Sequence, residues 1–567
     1  MGALGLLLAA SVSVRSQEAA APVPPTSAPV VAEPVAPSAA PTAPETTPAA
    51  PAASFLPHGQ FDTATQNWAD GWSRGSEGSM TWELEDGQHF IRLVSQQAGQ
   101  LVAVSQTAPI PAGVKGIDSA IRFRTAGVKF GASFSCDARV LFKFLDAGGQ
   151  EVGPAPGASV FDSHASAWTV LQKGFLVPDG AAQIAVTLCL NKPASGTLDV
   201  QSVSLSPMSD ADVQAIVMAP AIAAQKLAAD QAEVDRMLAL PPKTLELKVS
   251  GNKLVTADGT VVTLQGVNVE SLEWVAKGEN VLRTTKVALE DWKANVIRLP
   301  VYDGFWFGQG KPPQSTSNDP DAYRQLVDNV VKMAAGQGAY VVLDLHRFHA
   351  PEDRDVAFWK DAAARYKNNP AVLFDLFNEP GGISWDIWKN GGEVDDKAKN
   401  STEIRSYQSP GMQGLLDTVR ATGAKNIVIA GGLGSAYDLG GITQGFALED
   451  KTGNGIMYSV HFYNWHKNWE KHFLFLADQY PLYVGEFGAD IKKMPFVPAN
   501  QQEDPYTWVP DAIGMVQKYH LNWTAFSLHP KSTPVLISNW DYAPTPFWGV
   551  FIKDALAGKQ FDMTHER

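Results

Sequence analysis

Two glutamates follow apolar runs of the sequence at places where their carboxyl groups could act on one bond. Glu379 lies in Phe377–Pro380 and Glu486 in Val484–Gly488. When a glycosidic bond is cleaved with retention of configuration at the anomeric carbon, a neutral carboxyl protonates the leaving oxygen while an ionised carboxyl attacks that carbon. The two carboxyl groups then stand about 5–5.5 Å apart. The pair therefore predicts acid/base and nucleophilic catalysis at a glycosidic bond, if the fold brings the two residues together.

The elements that would bring them together are eight apolar, strand-like runs in the second half of the chain. Near-continuous apolar runs are typical of parallel strands buried on both faces, and helical stretches separate most of them. An open doubly wound sheet would want a Gly-rich phosphate loop after its first strand, which the sequence lacks, so an α/β fold of the (β/α)8 TIM-barrel type is favoured. The runs are Val261–Val267, Val296–Val301, Tyr340–Leu345, Val372–Phe377, Ile427–Ala430, Met457–His461, Leu482–Glu486 and Trp523–Leu528.

Polar residues stand at the C-terminal ends of most of these runs. In a TIM barrel those ends share the rim where active sites are built, so the residues are predicted to converge. A buried structural carboxylate or an ordinary strand end would explain one such position but not the whole set. The set comprises Arg298, His346, Asn378, Glu379, His461, Tyr463, Glu486 and His529.

The first half of the chain is organised differently. Residues 1–16 are an apolar start that predicts a signal peptide, and residues 17–54 predict a disordered linker rich in Pro and Ala. Short alternating runs over 55–207 indicate an all-β, jelly-roll-like sandwich. Helical spacing over 208–244 predicts a connecting helix or linker before the barrel of 245–567.

Composition narrows the class of partner and the location. The net charge of -14 over 567 residues gives no reason to expect binding to nucleic acid. The apolar start is too short to span a bilayer, and no other run approaches that length. Cys136 and Cys189 could form a disulfide or remain free thiols. We expect a secreted protein, extracellular or periplasmic and monomeric, whose partner is a polysaccharide or oligosaccharide.

The segment from residue 245 to the end resembles glycoside hydrolase family 5, the cellulase- and mannanase-like barrel glycosidases. The resemblance depends on Asn378–Pro380 after an apolar strand, joined by Arg298, His346, His461–Tyr463 and Gly485–Gly488 in that order. It covers somewhat over half the chain. It implies a covalent glycosyl-enzyme intermediate, no cofactor and no metal.

The resemblance also implies a role for each catalytic position. Glu379 is expected to be the general acid/base and Glu486 the nucleophile. Arg298 should favour the ionised form of Glu486, and Tyr463 should donate a hydrogen bond to it. These roles make Glu379 the protonated and Glu486 the ionised member of the pair.

Substrate contacts are implied in the same way. Asn378 should bind the sugar 2-hydroxyl, and His346 and His461 should shape the substrate floor and the acid/base side. A zinc site is the rival explanation for His346, because His346 and His349 have a spacing seen in some metal sites, but no third ligand stands nearby. We therefore predict no metal.

Aromatic residues of the rim depart from the family pattern in one place. Phe526 stands where family members usually carry a Trp beneath the reacting sugar, so either Phe526 stacks there or Trp540 fills the place. Trp465 and Trp469, which follow His461, are predicted sugar platforms because they fall after a strand rather than inside one.

The sandwich resembles galactose-binding-like carbohydrate-binding modules in Phe61–Asp62, Trp72 and Leu198–Leu205. A purely structural domain is the alternative. For the whole chain the leading hypothesis is an endo-β-glucanase or β-mannanase. The alternatives are an exo-β-glucosidase or transglycosylase using the same site, and a non-catalytic glycan-binding protein.

Overall fold

The structure, a computed structural model, describes residues 53–132, 136–310, 318–397, 404–498 and 500–567. The predicted signal peptide and all but the last two residues of the predicted linker lie outside these ranges. The chain divides at Val217 into two compact units, each of which is described by itself.

The first unit consists of antiparallel strands around one apolar core. Its strands are β1 Ala64–Thr65, β2 Trp68–Ala69, β3 Ser73–Arg74, β4 Ser79–Glu85, β5 Gln88–Ser95, β6 Leu101–Pro109, β7 Gly116–Lys129, β8 Ala138–Leu145, β9 Ser159–Val160, β10 Thr169–Leu176, β11 Gln183–Asn191 and β12 Ser195–Pro207. Two five-stranded sheets have the orders β10-β7-β12-β5-β4 and β3-β6-β11-β8-β9. Alternate residues of both sheets, such as Val102 and Val104 of β6, are buried between them, as the period of a strand requires.

Residues that suggested a carbohydrate-binding module serve the core of this unit. Phe61 and Trp72 are buried, with ring centroids 5.4 Å apart. Leu198 and Leu205 belong to the same apolar cluster. Cys136 and Cys189 do not form a disulfide, and Cys189 is buried.

The second unit contains the barrel and most of the helices. Its strands are β13 Lys248–Ser250, β14 Lys253–Val255, β15 Val261–Val262, β16 Gln265–Asn268, β17 Val296–Val301, β18 Tyr340–Leu345, β19 Phe348–His349, β20 Val372–Asp375, β21 Glu379–Pro380, β22 Gly392–Lys397, β23 Ile404–Ser409, β24 Val428–Gly431, β25 Ile456–Tyr463, β26 Leu482–Gly488 and β27 Asn522–Ala525. The helices are α1 Asp210–Leu238, whose first residues belong to the first unit, α2 Val281–Lys286, α3 Asp303–Trp306, α4 Pro320–Gln337, α5 Asp353–Tyr366, α6 Trp385–Asn390, α7 Gly411–Ala421, α8 Leu433–Ala436, α9 Trp469–His472, α10 Pro505–Lys518 and α11 Gly549–Leu556.

Helix α4 shows how local sequence sets these elements. The Asp319 carboxylate accepts hydrogen bonds from two backbone amides of the first turn, and Pro320 opens the helix, where a missing N–H costs nothing. Gly338 ends it in the left-handed region at φ 77°, the usual place for glycine. Within the described ranges, no helix is long and apolar enough to span a membrane.

The eight parallel strands close into a barrel in the order β16-β17-β18-β20-β24-β25-β26-β27, which confirms the predicted fold class. The first predicted run was only partly barrel, since Val261–Val262 belongs to the three-stranded sheet β13-β14-β15 and β16 begins at Gln265.

The barrel interior is apolar in its lower half and polar at its upper rim. Val296, Tyr340, Leu373 and Met457 form part of one buried apolar cluster. Two residues further along β17, on the same face of the strand, stands Arg298, which is fully buried. The change from apolar to polar along single strands fixes the height of the candidate site.

Candidate active site

Arg298 joins most of the predicted rim residues into one cluster. Its Nη1 donates to Glu486 Oε1 at 2.8 Å, and its Nη2 donates to Asn378 Oδ1 at 2.7 Å. Because the Asn378 oxygen is held in this way, its amide nitrogen points elsewhere, and that Nδ2 is buried without a hydrogen-bond partner among the described residues. Such a donor is available to a sugar hydroxyl, the role predicted for Asn378.

Three further partners of Arg298 were missed by the sequence analysis. Asp344 and Asp375 each bring a carboxylate oxygen to 3.1 Å from the guanidinium, and Asn268 Oδ1 accepts from Nη1 at 3.1 Å. The signal was present, since Asp344 and Asp375 are charged residues inside otherwise apolar strands. Charged groups are rarely fully buried unless paired.

A β-bulge turns Glu486 toward the barrel interior. Strands β25 and β26 are in register up to Val460 and Val484, but His461 then pairs with Glu486, so that Gly485 is the extra residue. A Cβ at Gly485 would lie 2.8 Å from His461 Nε2, closer than packing allows. Simple alternation would leave Glu486 on the outer face with Val484, and the bulge re-aims it.

Glu379 is placed by the neighbouring loop after β18. Its backbone N–H donates to the Arg347 carbonyl at 3.1 Å, and β21 pairs with β19. His461 Nδ1 lies 3.1 Å from Glu379 Oε1 and 3.7 Å from Glu486 Oε2. Ligand atoms of these three residues all lie within 4.8 Å of one another, so the two carboxyl groups share one small space. A set of this kind could also hold a divalent metal.

The surroundings of Glu486 favour its ionised form. Burial alone would oppose the charge, but His461, Arg298 and His346 together lower the pKa of Glu486 to about 2. Tyr463 donates a hydrogen bond to Glu486 Oε2 at 2.5 Å. A carboxylate held in this state is suited to nucleophilic attack.

Aromatic side chains line the rim next to Glu486. The Tyr463 and Trp465 rings are stacked with centroids 4.9 Å apart, and Phe526 meets Tyr463 edge-on at 6.3 Å. Phe496 packs edge-on against Trp465 at 5.7 Å and is 73% exposed. Sequence analysis did not select Phe496, which lies in a loop without a strand to mark it.

The remaining aromatic predictions have different outcomes. Trp540 packs edge-on against His529 at 4.8 Å, whereas Phe526 contacts the ring of Tyr463. Trp469 is fully buried against Phe462 and Trp508. The prediction of Trp469 as a sugar platform was wrong, because α9 turns its indole into the core.

His346 lies on the rim and is tied to the arginine cluster. Its Nδ1 lies 2.8 Å from Asp344 Oδ2, and its ring meets the exposed ring of Phe348 edge-on at 5.3 Å. Burial opposes the imidazolium, but the bond to Asp344 raises the pKa of His346 above its ordinary value. The bond to Asp344 therefore favours the imidazolium form of His346 near Glu486.

Known proteins match the barrel segment. Residues 255–532 match the family Cellulase (glycosyl hydrolase family 5). Endoglucanase E-5 of Thermobifida fusca is 24% identical over 299 residues, which cover 50% of this chain and 55% of that protein. Endoglucanase A of Butyrivibrio fibrisolvens is 27% identical over 256 residues, which cover 43% of this chain and 52% of that protein.

The chain thus spans about half the length of the curated relatives it matches. Among solved structures, a β-glucanase from Saccharophagus degradans in complex with cellotetraose is 24% identical, with a TM-score of 0.45 and coverage of 56% of this chain and 94% of that chain. The assignment of the barrel segment to a family rests on the family match and not on this structure. Residues 255–532 form a domain of glycosyl hydrolase family 5, the cellulase family.

Proposed function

We propose that the barrel is a retaining endo-β-glucanase in which Glu379 is the general acid/base and Glu486 the nucleophile. The observation that carries the proposal is the pair itself, whose oxygens lie within 4.8 Å of one another in unlike environments. That separation fits the retaining geometry of about 5–5.5 Å and leaves no room for the water that an inverting enzyme places between its carboxyls. Two curated relatives are named endoglucanases, which favours β-glucan over β-mannan.

In the first step Glu486 attacks the anomeric carbon and Glu379 gives its proton to the leaving glycosidic oxygen. The bond between carbon and leaving oxygen breaks as the bond to the Glu486 carboxylate forms, and the shortened chain departs. Arg298 and Tyr463, which hold the two oxygens of Glu486, position the carboxylate for attack. Asn378 Nδ2 is free to bind the sugar 2-hydroxyl, a contact that strengthens in the transition state.

In the second step Glu379 takes a proton from water, and the water oxygen attacks the same carbon. The ester bond to Glu486 breaks, and Glu379 is again protonated. His461, at 3.1 Å from Glu379, positions this carboxyl for both transfers. We propose sugar stacking for Trp465 and Phe526, and hydrogen bonding for His346.

The test uses the full chain and an aryl β-cellobioside together with soluble β-glucan. We expect Glu379→Ala and Glu486→Ala each to lose about 10⁴-fold or more in kcat, the scale on which such residues act. Azide should restore turnover in both, giving the β-glycosyl azide with Glu379→Ala and the α-glycosyl azide with Glu486→Ala. A fall in viscosity that precedes the release of reducing ends would mark endo action.

Glu449→Gln is the matched control, because Glu449 is exposed, pairs with Lys451 and precedes β25 on the opposite end of the barrel. It should hydrolyse at the wild-type rate. Either alanine variant keeping most of its activity would contradict the assigned role. Selective hydrolysis of mannan, or release of monosaccharide alone, would favour the mannanase or exo-acting alternative.

For the first unit we propose a companion role in carbohydrate binding, supported by the sandwich fold and by Trp168, which is only partly buried. A secreted location is proposed from the predicted signal peptide and from the polymeric substrate, which an enzyme meets outside the cell. These two proposals are independent of the chemistry in the barrel.

A further inference from the structure

Two carboxyl groups of the barrel mouth have no place in the mechanism above. Glu270 and Glu273 lie on the loop that follows β16 and are only 2% and 4% exposed. Burial of an acidic side chain is costly unless it is paired or holds a proton. Their presence beside the nucleophile therefore calls for a physical reason.

The loop holds these two residues in place through a residue between them. Ser271 is buried and has φ 110°, a conformation that costs free energy for a residue with a side chain. Its N–H donates to Glu273 Oε2 at 2.8 Å, and its hydroxyl accepts from the Glu279 N–H at 2.8 Å. These two hydrogen bonds fix the backbone between Glu270 and Glu273.

The charged groups around Glu270 disfavour its ionised form. Burial raises the pKa of Glu270 well above its ordinary value, and the negative charges of Glu273 and Glu486 raise it further. Arg298 acts in the opposite sense and does not reverse the shift. Tyr463 also faces this group and carries no charge at neutral pH. Burial and these charges therefore favour the neutral form of the Glu270 carboxyl, which shares a hydrogen bond with Glu273.

One oxygen of Glu270 remains available. Its Oε1 is buried and has no hydrogen-bond partner in the described part of the chain, an arrangement that is unfavourable unless a ligand completes it. Glu486 and Arg298 are among the charged groups that act on the Glu270 carboxyl. In the proposed mechanism the sugar attacked by Glu486 lies on the Glu486 side of the site, and the leaving sugar lies toward Glu379.

We propose that Glu270 is a specificity-determining residue that hydrogen-bonds a hydroxyl of the β-glucan on the glycone side of the scissile bond, with Glu273 holding it in position. The inference rests on the proposed function. A buried polar group of this kind rejects analogues that lack the matching hydroxyl, because the group is then left unpaired.

The test compares Glu270→Gln, Glu270→Leu and the surface control Glu449→Gln on aryl β-cellobiosides and on analogues lacking single glycone hydroxyls. The Gln variant keeps a neutral donor and acceptor, so we expect kcat/KM within about 5-fold of wild type. The Leu variant should lose about 30- to 100-fold. For wild type, kcat/KM on one deoxy analogue should be lower than on the parent cellobioside by a similar factor. For Glu270→Leu, kcat/KM should be almost the same on the two substrates, which would show coupling between that hydroxyl and Glu270.

A pH profile supplies a readout that a merely structural role would not move. Wild-type activity should fall at alkaline pH as Glu270 ionises beside Glu486, and Glu270→Gln, which cannot ionise, should keep its activity to higher pH. Melting temperatures of all variants identify any loss that comes from folding.

Two outcomes would overturn the inference alone. In one, Glu270→Leu hydrolyses the cellobioside at the wild-type rate. In the other, it loses the same factor on every analogue, so that no hydroxyl is coupled to it. If wild type hydrolyses no β-glucan at all, the proposed function itself fails, and that result is visible before any variant is made.

Discussion

The protein contains two clusters of arginine and carboxylate, one partly exposed and one buried, that resemble each other in composition but not in balance. In the first unit the Asp199 carboxylate accepts three hydrogen bonds. They come from Arg92 Nε at 2.7 Å, Arg92 Nη2 at 2.8 Å and Arg124 Nε at 2.8 Å. Glu85 pairs with Arg124 at 2.7 Å. Two guanidiniums thus face two carboxylates, and both oxygens of Asp199 are satisfied.

In the barrel a single guanidinium, that of Arg298, faces three carboxylates. Asp344 and Asp375 each keep one buried oxygen, Oδ1, without a hydrogen-bond partner among the described residues. Where positive and negative groups are equal in number, removing one of them costs stability. Where buried carboxylates outnumber the guanidinium, their burial already destabilises the folded state before any substitution. The comparison teaches that the sandwich cluster pairs its charges, while the barrel cluster lowers the pKa of Glu486 and keeps buried oxygens without a hydrogen-bond partner among the described residues.

The largest effect should come from removing the charge at the centre of the barrel cluster. In Arg298→Met the pKa of Glu486 rises because its guanidinium partner is gone, and the carboxylate loses its orientation. We expect kcat to fall about 10³-fold and the acid limb of the pH profile to move to higher pH. Initial rates on an aryl β-cellobioside across pH measure both.

Arg298→Lys is the matched variant for this prediction. It keeps a positive charge but cannot reach Glu486, Asn378 and the aspartates with one planar fork. Its rate should lie between those of Arg298→Met and wild type, with a smaller shift of the acid limb. A loss of less than about 10-fold in Arg298→Met would contradict the role assigned to this residue.

The sandwich cluster should respond in stability and not in rate. Asp199→Asn removes the charge that holds two arginines, so the free energy of unfolding of the first unit should fall by about 2 kcal/mol, below the figure for a fully buried pair because Arg92 is partly exposed. Urea unfolding followed by the fluorescence of the sandwich tryptophans measures the change. Hydrolysis of a short soluble substrate should be unaltered, and a parallel fall in rate would break the comparison.

The fold was predictable because the same pattern, a continuous apolar run, recurs in nearly all of the barrel strands. Val296–Val301 and Tyr340–Leu345 were predicted to the residue, since apolar runs buried on both faces are continuous in sequence. The first run failed at its start because Val261–Val262 is also apolar but pairs in another sheet. Pairing partners cannot be read from local composition.

The site was predictable only as far as strand ends mark it. Arg298 could be found because it is a charged residue inside an apolar run, and Glu379 and Glu486 because they follow or end one. Glu270 could not, because it lies in a loop and its importance comes from burial that the sequence does not show. Trp469 was wrongly predicted to face the cleft. The sequence shows that a tryptophan follows a strand, but it does not show whether that side chain faces the cleft or the core.

The effect that most sharpens the comparison concerns Asp375. Burial raises the pKa of Asp375 to about 7, although Arg298 opposes the shift, whereas an unfolded aspartate titrates near 3.9, an approximate reference value. Between these values the folded state holds a proton that the unfolded state has lost. The free energy of unfolding therefore falls as pH rises through this window, by at most about 1.4 kcal/mol per pH unit from this group.

Asp375→Asn cannot titrate and should lose that contribution. The difference in free energy of unfolding between variant and wild type should therefore move in favour of the variant from about pH 4 to about pH 7 and stay constant above. Urea unfolding of the barrel at several pH values measures it, and all other titrating groups cancel in the difference. A balanced carboxylate would behave in the opposite way, with its contribution lost as pH falls, so a difference that moves in favour of wild type as pH rises would show that the barrel cluster is balanced after all. A difference that does not change with pH would show that folding leaves the pKa of Asp375 unchanged, which would also contradict the prediction.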